Sequence, residues 1–201
     1  KSIQQKLPLE NLLGAQYTVA LKREDLFHPT VSGNKLRKLK YNIAEALHKK
    51  NETLITFGGA YSNHISATAA AGKLIGLKMV GIIRGEELAN NYKGNATLEF
   101  AEACGMNFEF VSRERYRLKE NEEYLSELSA KYPNAYMLPE GGTNALAIKG
   151  CAEILTEEDA DFDYICTAVG TGGTLAGLVS ASKTHQTVVG YSVLKGTFQT
   201  S

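Results

Sequence analysis

FGGAYSNHISATAAAG (residues 57–72) contains a change of period: the run Thr53–Phe57 leading into it reads as a strand, a glycine pair turns the backbone, and Ile65, Ala69, Gly72 and Ile75 then recur at helical spacing. Ser62 or Asn63 can cap that helix, and its small side chains let it lie close on a sheet. Strand, tight loop and helix in this order make half of a βαβ unit, so the stretch predicts a parallel sheet.

The same alternation extends in both directions. Apolar, β-branched runs of strand length occur at Tyr17–Leu21, Thr53–Phe57, Lys78–Ile83, Asn107–Val111, Ala135–Leu138, Tyr164–Val169 and Val188–Val193. Between them, Leu36, Leu39, Ile43 and Leu47 form one helical stripe, and further helices are expected at Ala96–Cys104, Glu122–Lys131, Ala145–Leu155 and Leu175–Ser182. The polar stretch Ser112–Glu123 reads as a solvated loop running into a helix. The expected fold class is α/β, with a mainly parallel sheet covered on both faces. The last strand is followed only by KGTFQTS, so the chain reads as cut short at its C-terminus.

With 201 residues, 43% of them hydrophobic, the chain can bury a core. Its 22 basic and 22 acidic side chains cancel, and no basic run or aromatic–arginine interleaving is present, so nucleic acid and anionic membrane partners have no electrostatic support. Cys104, Cys151 and Cys166 stand singly, which argues against a disulfide framework or a zinc site; they are expected to be buried thiols in a reducing cytoplasm. KSIQQKLPLE lacks the apolar region of a signal peptide, and no run reaches membrane-spanning length.

Three stretches could carry chemistry. In SGNKLRKLKYNIAEAL (32–47), Gly33 permits close approach of a ligand and Asn34 can cap the helix, which sets Lys35 in its first turn. A lysine beside Arg37, Lys38 and Lys40 can equally be a solvated surface group. The free amides, helix dipole and neighbouring cations at this place disfavour its protonated form, however, and a neutral amine attacks carbonyls.

The second stretch is the opening one. Ligands of open α/β sheets bind beyond the carboxyl ends of strands, where Ser62, Asn63 and His64 would offer a hydroxyl, an amide and an imidazole. GAYSN departs from the nucleophile elbow and no triad acid accompanies Ser62, which argues against a serine hydrolase.

The third is YICTAVGTGGTLAGLV (164–179), a strand, a turn with Gly170, Gly172 and Gly173, and a helix opened by Thr174. It is neither a dinucleotide fingerprint nor a Walker loop, and it suits a single phosphate. A nucleophilic lysine, a hydroxyl–amide–imidazole loop and a one-phosphate cradle are together what pyridoxal 5'-phosphate requires.

KREDLFHP (22–29), SGNK (32–35), FGGAYSNH (57–64), LPEGGTN (138–144) and VGTGGTLAG (169–177) resemble the pyridoxal-phosphate enzymes of the tryptophan-synthase β-like fold, within them the group of aminocyclopropane-carboxylate deaminase and D-cysteine desulfhydrase. The resemblance implies that Lys35 holds the cofactor and later moves protons. It implies that Asn63 bonds the ring hydroxyl, that Ser62 stands near the substrate carboxylate and α-carbon, and that Gly170, Thr171, Gly172, Gly173 and Thr174 hold the phosphate. Ser62, Asn63 and His64 would then meet the substrate, with Glu140, Gly141 and Gly142 in a loop beside the site.

It further implies two three-layer α/β/α domains with the cofactor in the cleft between them, a smaller one at residues 52–142 inserted in a larger one made of 1–51 and 143–201. The implied activity is a lyase or deaminase reaction on a small amino acid, in a cytoplasmic homodimer with no nucleic acid, membrane or metal partner. The positions that separate the two activities would lie in the part the chain lacks. β-Replacement of the cysteine synthase kind is the alternative within the fold, and a non-catalytic fragment is the alternative outside it.

Overall fold

The computed structural model describes residues 2–9, 17–31 and 33–193. Strand β1 (Ile3–Leu7) pairs antiparallel with β2 (Val19–Arg23), and helix α1 (Asn34–His48) follows. Next come β3 (Thr53–Gly58), α2 (Asn63–Ile75), β4 (Lys78–Arg84), α3 (Ala96–Ala103), β5 (Met106–Val111), α4 (Arg113–Arg117), α5 (Glu122–Lys131) and β6 (Ala135–Leu138). Their strands make one parallel sheet in the order β5-β4-β3-β6. Helix α6 (Ala145–Ala152), β7 (Tyr164–Val169), α7 (Gly173–Ala181) and β8 (Thr187–Ser192) complete the described chain, with β7 and β8 parallel to each other.

Burial explains why β3 and β4 read as continuous apolar runs. A parallel sheet with helices on both faces leaves no polar side to its central strands. Leu54, Met79 and Ile83 pack on one face with Ile65, Ala67, Ala69, Ala70 and Ala71 of α2 and with Leu39 and Ala46 of α1. Ile55, Phe57, Val80 and Ile82 pack on the other with Tyr116 of α4 and Tyr124 and Leu128 of α5. The helices start where side chains can accept from their free amides: Ser62, Asn95, Ser112, Asn121 and Asn144 each cap one. Helices α1 and α6 meet backbone to backbone, since a Cβ built on Gly150 would stand 2.0 Å from the Arg37 carbonyl oxygen.

The α/β class and the parallel sheet agree with the sequence reading, and several particulars do not. β1 has no counterpart in that reading, because IQQKL is too polar to look like a strand; it lies at an edge and is mostly exposed. Ser112–Glu123 contains α4, which buries Tyr116, rather than only a loop. Leu47 does not complete the apolar stripe of α1 and is 49% exposed. Of the three thiols expected to be buried, only Cys151 is; Cys104 is half-buried and Cys166 is exposed. The reason is that α6 and α7 cover one face of the β7–β8 pair, while Tyr164, Cys166, Ala168 and Tyr191 are exposed on the other, where Tyr164 and Cys166 line an open cavity shared with β1 and β2. Ser32 of the SGNK motif and the terminal KGTFQTS lie outside the described residues.

Candidate active site

The carboxyl ends of β3, β6 and β7 and the amino end of α1 converge on one region. Helix α1 is capped by Gly33 at φ 63°, so Asn34 is its first residue and not its cap. The freed Asn34 amide instead donates to Thr174 Oγ1 at 2.7 Å, which ties the start of α1 to the start of α7. Lys35 follows in the first turn, half-buried, and lines an opening with Lys38, Gly170, Thr171, Gly172 and Thr174. Burial lowers its pKa, and only the Cys151 thiol, which favours the charged form, opposes that.

Across the opening, β7 ends at Val169 and Gly172 takes the left-handed conformation, φ 80°, that lets the chain enter α7. A Cβ built on Gly170 or Gly172 meets nothing within 4 Å. The turn is therefore an open concavity beside the free amides at a helix start, which is the geometry that receives a phosphate. Lys35 and the turn, picked out separately in the sequence, share this space.

Lys38 belongs here too, although in the sequence it stands out only as a charged neighbour of Lys35. It is 2% exposed, and its ammonium donates to Gly141 O at 3.1 Å, Thr143 Oγ1 at 2.8 Å and Thr171 Oγ1 at 3.2 Å. Burial and then repulsion from Lys35 lower its pKa to about 8. A signal was present: Lys35, Lys38 and Asn42 fall at i, i+3 and i+7, a polar stripe on an otherwise amphipathic helix. Asn42 is fully buried, accepting from Tyr136 Oη at 3.0 Å and Asn144 Nδ2 at 2.7 Å.

Ser62 caps α2 through its Oγ, which accepts from Ile65 N, and Asn63 opens that helix with its side chain exposed. His64 points inward and is 2% exposed. Its Nε2 lies 2.7 Å from Thr56 Oγ1, which also bonds Leu138 O at 3.1 Å. The threonine has one hydrogen, directed to the carbonyl, so Nε2 carries the imidazole proton and Nδ1 is a buried acceptor without a partner. Burial, reinforced by the Lys35 and Lys38 charges, lowers the His64 pKa to about 3, so the ring is neutral. His64 is placed as an internal brace, with no open face toward a ligand.

The loop Glu140–Gly142 joins the two groups of residues. The His64 ring presses on Gly142, Thr171 presses on Gly141, and Glu140 accepts from Tyr116 Oη at 2.7 Å.

The sequence pattern of the pyridoxal-phosphate dependent enzymes matches residues 4–194. The chain belongs to this family. A Thermotoga maritima relative bearing a provisional 1-aminocyclopropane-1-carboxylate deaminase name is 38% identical over 88% of this chain and 59% of its own. The mitochondrial bifunctional D-cysteine desulfhydrase/1-aminocyclopropane-1-carboxylate deaminase of Arabidopsis thaliana is 34% identical over 79% of this chain and 43% of its own. The crystal structure of an ACC deaminase homologue superposes with a TM-score of 0.74 at 34% identity, covering 90% of this chain and 56% of that one. The chain thus spans about half the length of the curated relatives it matches. The family's cofactor fits what is present: a half-buried amine of lowered pKa lining one opening with a glycine turn at a helix start, and a second, buried cation bonded to Thr171 of that turn.

Proposed function

We propose that the protein is a pyridoxal-phosphate dependent lyase or deaminase that converts a small amino acid, D-cysteine or 1-aminocyclopropane-1-carboxylate, to a 2-keto acid and ammonia, with sulfide released as well from D-cysteine. The observation that carries this reading is the desolvated Lys35 amine lining the same opening as the turn Gly170–Thr174. The amides of Gly170, Thr171, Gly172, Gly173 and Thr174, together with the Lys38 ammonium, would hold the phosphate. Asn63 would bond the ring hydroxyl, and Ser62 and the amides beside it would orient the substrate carboxylate. When bound, the cofactor supplies an electron sink for the bond broken at the substrate's α-carbon. Lys35 first holds the cofactor and then carries a proton to and from that carbon, a role open to an amine whose burial makes its neutral form accessible.

By the same reading residues 52–142 form a smaller unit inserted in a larger one of 1–51 and 143–201, the cleft between them holds the cofactor, and the enzyme works as a cytoplasmic homodimer. Purified protein with excess pyridoxal phosphate is expected to turn yellow and to retain the cofactor after borohydride reduction, and Lys35→Ala is expected to do neither. Keto-acid release from D-cysteine and from aminocyclopropane carboxylate, measured side by side, assigns the substrate. A wild-type protein that stays colourless overturns the proposal.

A further inference from the structure

Beyond these residues, Arg84 at the carboxyl end of the four-stranded sheet has no ion-pair partner among the described residues. Gly58 pairs with Ile83 in the β3–β4 register, so the last residue of β4, Arg84, stands opposite Gly59, in the loop that leads to Ser62 and Asn63. A guanidinium nitrogen of Arg84 lies 3.6 Å from a Cβ built on Gly59, and the group sits over the Tyr116 ring at 5.7 Å. Tyr116 is buried, and its hydroxyl is committed to Glu140, which fixes the platform.

Three neighbouring cations are matched: Arg113 by Glu87 at 3.3 Å, Arg115 by Glu127, and Lys119 by Glu140 at 3.5 Å. Among the described residues Arg84 has no carboxylate partner, and its side chain is exposed. A guanidinium steadied on an aromatic face, with its hydrogen-bond fork left open, is a receptor for a carboxylate.

We propose that Arg84 binds the substrate's carboxylate at the Gly58–Asn63 loop and so makes an acidic group a requirement for the substrate. This rests on the functional reading above. The neutral contacts of Ser62 and Asn63 orient that carboxylate, and Arg84 supplies the charge they lack.

The test uses the cofactor-loaded protein and two amines that differ only in the acid: D-alanine and ethylamine. Binding is read from the absorbance change of the bound cofactor. For Arg84→Gln, the apparent Kd for D-alanine is expected to rise about tenfold or more, as loss of a charge-assisted hydrogen bond implies. That for ethylamine should move less than about twofold. Arg84→Lys, which keeps the charge and loses the fork, should restore part of the difference. Equal weakening for both amines overturns the proposal in favour of a purely structural role, and no weakening for either overturns it outright. A wild-type protein that takes up no cofactor is recognised beforehand by its missing colour, which overturns the functional reading and this proposal together.

Discussion

Two buried groups of similar bulk, Lys38 and His64, meet opposite electrostatic fates a short distance apart. Lys38 has three oxygens around its ammonium and titrates near 8, while His64 has one threonine and two nearby cations and stays neutral. The histidine makes the fold acid-sensitive. Its pKa is about 3 when folded and about 6.5 when unfolded, so the unfolded chain takes up a proton between those values. The stability tied to the neutral ring is therefore complete above about pH 6.5 and is lost as pH falls toward 3. Urea midpoints of wild type should drop between about pH 6.5 and about pH 4.5, and His64→Gln should flatten that drop. Lys38→Met should weaken pyridoxal phosphate binding about tenfold, read by equilibrium dialysis, while colour still forms at saturating cofactor, because Lys35 is intact. Lys35 and the glycine turn were legible from sequence because their residue types are rare at such places. Lys38 was not, since the polar stripe it shares with Lys35 and Asn42 marks a helix face and leaves open that a loop about a hundred residues away encloses that face.

At the scale of elements, the hydrophobic period carried most of the information. β3, β4 and their helix are legible because a doubly covered strand must be apolar throughout, and the caps at Ser62 and Asn144 announce helix starts. β1 was hidden because its pairing is with β2 at an edge and its side chains meet water. Helix packing hides another requirement: the closeness of α1 and α6 depends on Gly150. Gly150→Ala sets a methyl group 2.0 Å from the Arg37 carbonyl oxygen, which neither helix can accept without moving. We expect a loss of about 1–3 kcal/mol, measured by urea unfolding. Gly172→Ala forces a left-handed alanine at φ 80° and should cost about 1 kcal/mol in stability; it should also lower cofactor affinity, which separates it from Gly150→Ala.

For the molecule as a whole, the two faces of the β7–β8 pair are unequal. One is packed by Cys151, Ile154 and Leu178, and the other presents Tyr164 at 66% and Tyr191 at 61% exposure beside Cys166. Among the described residues no helix is long and apolar enough to cross a membrane. A thiol reagent added to native protein should modify Cys166 first and leave Cys151 untouched until denaturant is added. Cys166→Ser should remove the fast phase. The sequence could not distinguish these cysteines, because both sit in apolar surroundings along the chain and differ only in which face of a sheet or helix they occupy.

The enclosure of Lys38 by neutral oxygens has a consequence for ligand entry. Stripping water from a cation is expensive, and here the chain does it while folding, long before any anion arrives. A phosphate reaching the glycine turn would find the ammonium already dry and lacking only an opposite charge, so most of its attraction would survive as net affinity.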